Sequence, residues 1–560
     1  MKLDSFPAPE KIWDICIIGT GPVGMALALE FDKLGKDVLL LESGGVDVDP
    51  AMAEATHAEI VDTERHAPME LAVCRALGGT SWTWGGRSVP YDDVDLAERP
   101  FVPESEWPIT HDEIRPWYRE ATEYTLCGGD EFTMPFGSKL TDGLTLDYVE
   151  RWATESKLIQ IHRERILASQ RIHLSLGSTV IGFQLSADGS AVEAIEVATA
   201  SGPKPVRAQH VLLAMGGVET TRLLLNVQEK YPALFGGVDG PLGRYYMGHI
   251  SGKIASIVFD TPASFRDLDF KLDTNRSWYR RRFMLTKEAQ IENQVLNTAF
   301  WPDNPPFYNP SHKSGVLSSV FLTLAFPPTG RKLLSEAIRL AHTGPRPYPI
   351  AAHLRNAILG APQGAADIYR ILRDRFLRKP KKPGFMVSNP GGRYALHYHA
   401  EQIPQAESRI TLANEKDKFG LKRVAIDLRF DEQDIDSVIR SHELLDKALR
   451  TNGIGRLEPW HDEEQTRRKV WAQAADGFHQ VGSIRMGADP KASVVNRDLQ
   501  THDLKNLYAV TSAVFPTSGQ ANSTLLAVAM GMRLVHQLAE DKGAAEVLRA
   551  ANPQTTGAAH

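Results

Sequence analysis

A glycine-rich turn between a strand and a helix, near the start of the chain, constrains the fold more than any other feature. Residues 15–18 are a short apolar run of strand length, and Gly19, Gly21 and Gly24 follow directly in the spacing GxGxxG. The first glycine permits a tight turn, the second lets a pyrophosphate approach the backbone, and the third lets the helix pack close to the strand. This pattern predicts a Rossmann-like nucleotide-binding unit.

The next residues complete this unit. The helix is predicted to begin at Pro22 and Val23, so that its free N–H groups and positive dipole end face the phosphates. Residues 38–41 form a second apolar strand that ends in Glu42, eighteen residues after Gly24. A carboxylate at that position can accept hydrogen bonds from both hydroxyls of an adenosine ribose. We therefore predict a dinucleotide site; the alternative is a tight βα turn without a ligand.

Length and charge narrow the class of protein. A chain of 560 residues exceeds the size of one hydrophobic core, so two domains are expected. The net charge of -6 argues against a nucleic-acid partner. The first residues lack the apolar core of a signal peptide, and no apolar run reaches the roughly 20 residues of a transmembrane helix. We expect a cytoplasmic protein. Three scattered cysteines predict neither disulfides nor a metal site.

A second glycine-rich segment, residues 76–87, reads ALGGTSWTWGGR. Its glycine pairs let the backbone lie against a flat ligand, and its tryptophans can form walls around that ligand. The alternative is a glycine-rich loop with core tryptophans. Together with the GxGxxG turn, EWPI at 106–109 and PWY at 116–118, this segment resembles the glucose-methanol-choline (GMC) family of flavoproteins. Within that family it is similar to the bacterial sugar and glycoside oxidoreductases related to pyranose oxidase.

The resemblance implies that this loop contacts FAD. Members of that branch often bind the flavin covalently through a histidine in the loop, and this sequence has Trp82 and Thr83 there. We therefore expect non-covalent FAD, with Thr83 near the reactive edge of the flavin. The loop residues expected to bind FAD are Gly78, Gly79, Thr80, Ser81 and Thr83.

The middle of the chain returns to the nucleotide domain. Alternating apolar residues between 172 and 200 predict strands joined by a hairpin at Asp188 and Gly189, and the resemblance implies that Val180 covers the adenine. A buried strand then runs from Val211 through Ala214, another expected FAD contact, into a glycine pair and a helix.

These segments predict an α/β fold with a discontinuous Rossmann-like FAD-binding domain, residues 1–250 and 474–560. Residues 251–473 are expected to form an α+β substrate-binding domain on an antiparallel sheet, as the GMC and p-hydroxybenzoate hydroxylase-like resemblance implies. In that sheet His397 and His399 share one strand face, and we interpret them as solvated rather than as substrate contacts. We interpret His249 as structural rather than catalytic.

Residues 331–382 form a basic block in which arginines and lysines alternate with leucines and isoleucines. The pattern predicts helices that are broken by glycine and proline at 344–345 and 360–362. A basic amphipathic helix can lie on an anionic membrane or on a partner. We favour a solvated face that contacts another subunit, so a homo-oligomer is possible.

The last hundred residues carry the catalytic signal. FHQVGSIRMG at 478–487 and FPTSGQANST at 515–524, before a predicted helix, resemble the GMC carboxyl-terminal signature. The resemblance implies that His479 is the catalytic histidine, that Asn522 is its partner, and that Ser523 and Thr524 contact FAD. A neutral imidazole can take the hydroxyl proton as hydride leaves carbon, and Asn522 can donate to the developing alkoxide. The alternative for His479 is a satisfied core histidine.

We therefore predict FAD-dependent oxidation of a secondary ring hydroxyl of a sugar or glycoside, at C2 or C3, to the ketone by hydride transfer to flavin N5. No second glycine fingerprint follows a strand, so electrons are expected to pass to O2, a quinone or a protein acceptor rather than to a nicotinamide. Three alternatives stay open: a GMC oxidoreductase for a non-sugar alcohol, a redox-silent lyase, and a flavin-binding protein without catalysis.

Overall fold

The computed structural model describes residues 6–137, 139–199, 202–261, 266–333, 342–344, 346–387 and 392–540. Its first sheet is the predicted nucleotide-binding sheet, in which five strands run parallel to one another. In spatial order these strands are Ile172–Ser175, Val38–Leu41, Ile12–Ile18, Gly202–Leu213 and Leu507–Ala509. The hairpin Thr179–Leu185 and Val192–Thr199 continues the sheet in antiparallel fashion along the first half of Gly202–Leu213.

The apolar runs of the sequence explain this sheet. Every residue of Val38–Leu41 is buried, as expected for a parallel strand with both faces covered. The helix Pro22–Lys33 begins where proline occupies the first turn, and Thr524–Glu540 packs against it, with Leu27 touching Gly531. The predicted Rossmann-like architecture is therefore confirmed.

A second sheet is antiparallel and draws its strands mainly from the middle of the chain. In spatial order they are Gly455–Pro459, His249–Phe259, Arg393–Ala400, Thr298–Asp303, Phe283–Leu285 and Leu144–Thr145, and Ala474–Ala475 also pairs with His249–Phe259. This sheet agrees with the predicted α+β half.

Two smaller sheets flank these. One contains Arg409–Lys416, Lys422–Asp427 and Glu59–Ile60, and the other contains Lys271–Leu272, Trp278–Arg281, Val149–Trp152 and Arg87–Ser88. Lys422–Asp427 pairs with Arg409–Lys416, its neighbour in the sequence, since a turn at Asp417 and Gly420 reverses the chain.

Helices cover both large sheets. The remaining α-helices are Met69–Ala72, Asp93–Leu96, His111–Ile114, Tyr118–Thr125, Leu158–Ala168, Gly217–Lys230, Lys287–Asn293, Gly315–Ala325, Pro327–Leu333, Ile350–Leu359, Ala361–Leu372, Glu432–Thr451 and Glu463–Trp471. Short 3-10 turns occupy Pro50–Thr56, Gly79–Trp82, Arg115–Trp117, Pro310–His312 and Ser512–Val514, and Arg373–Leu377 is a π-turn. In the described part of the chain, none of these helices combines the length and the apolar character needed to cross a bilayer.

The basic block lies in a helical insert between the strands Thr298–Asp303 and Arg393–Ala400. Its helices are broken at Gly360, as predicted, because Ile350–Leu359 ends there and Ala361–Leu372 begins with a proline in its first turn. Residues 334–341, including Arg339, and Pro345 lie outside the described residues.

Candidate active site

One cavity of 480 Å³ brings the two ends of the chain together. Its walls come from the glycine turn at 19–23, the loop at 79–87, the strand end at 214–217, and the C-terminal residues 477–480 and 510–524. The predicted residues that line it are Gly19, Gly21, Pro22, Val23, Glu42, Gly79, Thr80, Thr83, Val180, Ala214, His479, Asn522, Ser523 and Thr524.

The glycine turn packs so closely on neighbouring backbone that a side chain would clash at two of its positions. At Gly19, with φ of 98°, an added Cβ would lie 2.7 Å from the carbonyl oxygen of Ala214. At Gly24 an added Cβ would lie 2.0 Å from the carbonyl oxygen of Gly19, so only glycine permits this helix–strand contact. The cap residue Gly21 offers no side chain to the helix N-terminus, whose free N–H groups can therefore bind an anion.

The acidic residue at the end of the second strand is held in place. The Glu42 carboxylate is buried and accepts hydrogen bonds from the backbone N–H of Thr20 at 3.2 Å and of Gly44 at 2.8 Å. These donors orient the carboxylate at the cavity wall, where it can accept hydrogen bonds from ribose hydroxyls.

The second glycine loop packs directly on the first. An added Cβ at Gly79 would lie 2.6 Å from Cα of Gly21, so the two backbones touch. Gly78 adopts a left-handed conformation, with φ of 103°, and the Ser81 hydroxyl donates to its carbonyl at 2.7 Å. Gly24, Gly78 and Ser81 thus shape the wall without lining the cavity themselves.

His479 and Asn522 meet at the far end of the same cavity. Asn522 Nδ2 lies 2.9 Å from His479 Nε2, and Asn522 Oδ1 has no hydrogen-bond partner among the described residues. If the amide nitrogen donates, Nε2 of the imidazole is the acceptor, and the ring proton of neutral His479 resides on Nδ1. The atom that can take a proton is therefore the one beside Asn522.

Two further histidines lie behind His479. Its Nδ1 lies 3.0 Å from Nδ1 of His249, which becomes the acceptor of the Nδ1 proton. The ring of His249 stacks on that of His399 with 4.4 Å between centroids, and His399 Nδ1 donates to the carbonyl of Gln520 at 2.7 Å. Ring nitrogens of the three histidines lie within 4.8 Å of one another. The sequence led us to interpret His249 as structural rather than catalytic, and the structure places its ring in contact with the candidate base.

Burial keeps this histidine cluster neutral. Loss of hydration, followed by the positive charge of Arg87, lowers the pKa of His479 from 6.5 to about 4. Burial and the neighbouring imidazoles also hold the pKa of His249 and that of His399 well below the usual range. All three rings are thus uncharged at neutral pH, the state that a proton acceptor requires.

Arg87 lines the cavity, and its positive charge acts on all three histidines of this cluster. Its Nε donates to the fully buried Glu150 at 2.6 Å, and Arg280 donates to the same carboxylate at 2.7 Å. Both guanidinium groups lie over the ring of Trp301, at 4.6 and 4.8 Å. Burial lowers the pKa of Arg87 to about 10, with Glu150 opposing, so the group stays charged at neutral pH.

The two strand histidines are not solvated as we expected. His399 is buried against His249, and His397 stacks on Trp301 with ring centroids 4.6 Å apart. They share a face, as the two-residue spacing predicted, but on that face their rings pack against other aromatic rings. The spacing fixes only which side chains point the same way, and the partner on that side decides their exposure.

Comparison with known proteins agrees with this geometry. Residues 404–531 match the family model described as GMC oxidoreductase. The chain is 24% identical over 572 residues to the 6'''-hydroxyparomomycin C oxidase of Streptomyces lividus, covering 96% of this chain and 93% of that protein. The C-glycoside 3-oxidase of Arthrobacter globiformis is 30% identical over 154 residues, which is 27% of this chain and 28% of that protein. A formate oxidase structure from Aspergillus oryzae shares the fold, with a TM-score of 0.51, 15% identity and coverage of 96% and 100%.

The chain is thus similar to the GMC oxidoreductases, whose family model matches its carboxyl-terminal region. It is an FAD-dependent enzyme that acts on CH–OH donors, as the sequence predicted. The cavity fits that cofactor: glycines admit a pyrophosphate, an uncapped helix end faces it, and Glu42 lies at the ribose position.

Three features of the site escaped the sequence analysis. The contacts of His249 and His399 with His479, and the link from Arg87 to Glu150, join residues that are far apart in the chain. Only Arg87 carried a local signal, since it ends the second glycine-rich loop.

Proposed function

We propose that this enzyme oxidises a secondary ring hydroxyl of a sugar or glycoside, at C2 or C3, to the ketone. The observation that carries the proposal is the His479–Asn522 pair, 2.9 Å apart in the cavity that also contains the glycine turn. The oxidases of an aminoglycoside and of a C-glycoside among the similar proteins support a sugar-like substrate. The assignment of the carbon rests on the resemblance to glycoside oxidoreductases.

His479 is the proposed base. Bound FAD would supply the hydride acceptor, and Nε2 of His479 would take the hydroxyl proton as the carbon is oxidised. Asn522 lies beside that nitrogen, so its amide can hold the substrate oxygen and stabilise negative charge on it. The final helix begins at Thr524, and its N-terminal dipole end faces the same cavity.

His249 positions the base. Because it accepts from Nδ1 of His479, it fixes the tautomer whose unprotonated nitrogen is Nε2. The His249 ring is in turn held by stacking on His399. We assign this cluster to proton handling rather than to a metal, since its Nδ1 atoms already take part in hydrogen bonds.

We further infer that residues 1–250 with 474–560 form the FAD-binding domain and 251–473 the substrate-binding domain. The parallel sheet draws all its strands from the first set, and the antiparallel sheet draws most of its strands from the second. The strand Leu144–Thr145 is a segment of the first set that joins the second sheet. Trp82 and Thr83 occupy the loop position from which related enzymes bind flavin covalently, so FAD is proposed to be dissociable.

Anaerobic mixing with candidate alcohols tests the proposed reaction. Glycosides and monosaccharides should bleach the flavin absorbance, and the product should be a ketone at C2 or C3 by NMR, because hydride moves from that carbon to the flavin. Simple primary and aromatic alcohols serve as the comparison set. Carbonyl release without bleaching would indicate a lyase, and bleaching only by non-sugar alcohols would contradict the sugar assignment.

The pH dependence of flavin reduction should reflect the low pKa of His479. The neutral base is present above a pKa of about 4, so the rate should stay level from pH 8 to about pH 5 and fall only below that. An unperturbed imidazole would lose activity near pH 6.5.

Replacing Arg87 separates the two causes of the lowered His479 pKa, which are burial and the positive charge of Arg87. Arg87→Met removes the cation and should move the acidic limb of the profile to higher pH, whereas Arg87→Lys should keep it nearly in place. Arg276→Met, on the outer surface, is the matched control. An identical limb in Arg87→Met and in the unmodified enzyme would show that burial alone sets the pKa.

A further inference from the structure

The helical insert exposes a concentration of apolar side chains. Among the described residues, seventeen large apolar side chains are exposed, and nine of them lie between residues 326 and 377. They are Phe326, Ile350, Leu354, Ile358, Leu359, Ile368, Tyr369, Leu372 and Leu377. Clustered apolar exposure of this kind marks an interaction surface, whereas isolated exposed apolar residues do not.

The helix Ile350–Leu359 turns its apolar stripe outward. Its buried side chain is His353, which contacts Ser318 at 3.0 Å and stacks on Phe321. On the other side, Ile358 and Leu359 are each 71% exposed. An ordinary surface helix shows the opposite arrangement, with polar residues outside and apolar ones inside.

The helix Ala361–Leu372 is inverted in the same way. Its buried residues are Gly364 and Asp367, while Tyr369 is 66% exposed and Ile368 and Leu372 are exposed beside it. We call the exposed apolar side chains of these two helices, together with Leu377, the outer face of the insert. Packing within the chain leaves this face uncovered in the described residues.

The charge of the same stretch is strongly biased. Residues 346–387 contain nine lysines and arginines and two acidic residues, within a chain whose net charge is -6. Both acidic residues, Asp367 and Asp374, are buried, so every exposed charged side chain of this stretch is basic. Basic side chains next to exposed apolar ones are complementary to a partner that has an apolar interior and an anionic exterior.

We propose that the outer face docks on an anionic phospholipid bilayer. The apolar side chains would enter the headgroup boundary, and the neighbouring arginines and lysines would bind lipid phosphates. The attachment is interfacial, since no helix of the described residues could span the bilayer. A second copy of this chain is less suited to cover the outer face, because a two-fold contact would bring two basic surfaces together.

The insert reaches the catalytic half of the molecule. Residues 379–383 and Gly85 line one cleft of 860 Å³, and Gly85 also lines the cofactor cavity. Trp278 Nε1 donates to the carbonyl of Pro380 at 3.1 Å, which anchors the end of the insert to the body of the enzyme.

Vesicle co-sedimentation of the holoenzyme tests this surface. At physiological salt, the protein should pellet with vesicles of equimolar phosphatidylglycerol and phosphatidylcholine and stay in solution with phosphatidylcholine alone. The double variant Ile358→Asn, Leu359→Asn should lose at least about tenfold in binding, because two apolar side chains no longer enter the boundary. Arg355→Glu with Arg370→Glu should lose a similar factor through charge.

The matched control is Val61→Asn with Val238→Asn, two exposed apolar residues of the body, which should bind like the unmodified enzyme. Flavin absorbance shows that each variant is folded. The proposal is overturned if the unmodified enzyme stays in solution with anionic vesicles or if the insert variants pellet equally well. A dimer by light scattering that the Ile358 and Leu359 changes dissociate, without vesicle binding, would assign the face to a second copy.

Discussion

His479→Ala should keep its FAD and lose roughly 10² to 10⁴ in the rate at which substrate bleaches the flavin. The imidazole nitrogen beside Asn522 is the proton acceptor that the site provides, and alanine leaves only water to take that proton. The measurement is stopped-flow absorbance under anaerobic conditions with a saturating glycoside. The flavin spectrum before mixing reports that the fold and cofactor are intact.

The matched control is His57→Ala, an exposed histidine that pairs with Glu70 on the surface. Its bleaching rate should equal that of the unmodified enzyme. A His479→Ala enzyme that bleaches as fast as this control would remove His479 from the proposed role, and the remaining histidines of the cluster would then become the candidates.

Gly24→Ala should yield protein with little or no FAD. The new methyl group would lie 2.0 Å from the carbonyl oxygen of Gly19, so the helix must move away from the turn that faces the phosphates. Overpacking of this kind costs about 1–3 kcal/mol, which corresponds to roughly 5- to 150-fold weaker cofactor binding if the bound form carries the whole cost. The measurement is the flavin released per protein after acid precipitation.

Gly129→Ala is the control, because its added Cβ would meet Asn275 at an ordinary 3.5 Å. The unmodified enzyme should release its FAD into the acid supernatant, and a yellow pellet would contradict non-covalent binding. Full flavin content in Gly24→Ala would show that the turn tolerates a side chain and that the cofactor is held elsewhere.

Local patterns predicted the elements that hold the cofactor. The second strand occupies 38–41 as expected, and the final helix, Thr524–Glu540, begins at the end of the FPTSGQANST segment, where a helix was predicted. A glycine turn, a proline in the first helical turn and a continuous apolar run each determine backbone conformation over a few residues. Such features can be read without knowing what packs against them.

The contacts around the base could not be read in this way. His249 reaches His479 because Ala474–Ala475 pairs with the start of His249–Phe259, and that register joins residues more than 220 positions apart. The partnership of Arg87 with Glu150 similarly depends on the pairing of two short strands. Strand register between distant segments is a property of the whole chain, so the proton-handling cluster became visible only in three dimensions.

The cofactor cavity is built from segments that lie far apart in the sequence. Gly19 and Thr524 line one cavity, and the strand Leu507–Ala509 completes the sheet that Ile12–Ile18 begins. On the ribosome, the glycine turn emerges hundreds of residues before the segment that walls it in. Flavin capture is therefore expected late in biogenesis, since until the final segments are made the edge of the sheet that Leu507–Ala509 covers stays unpaired.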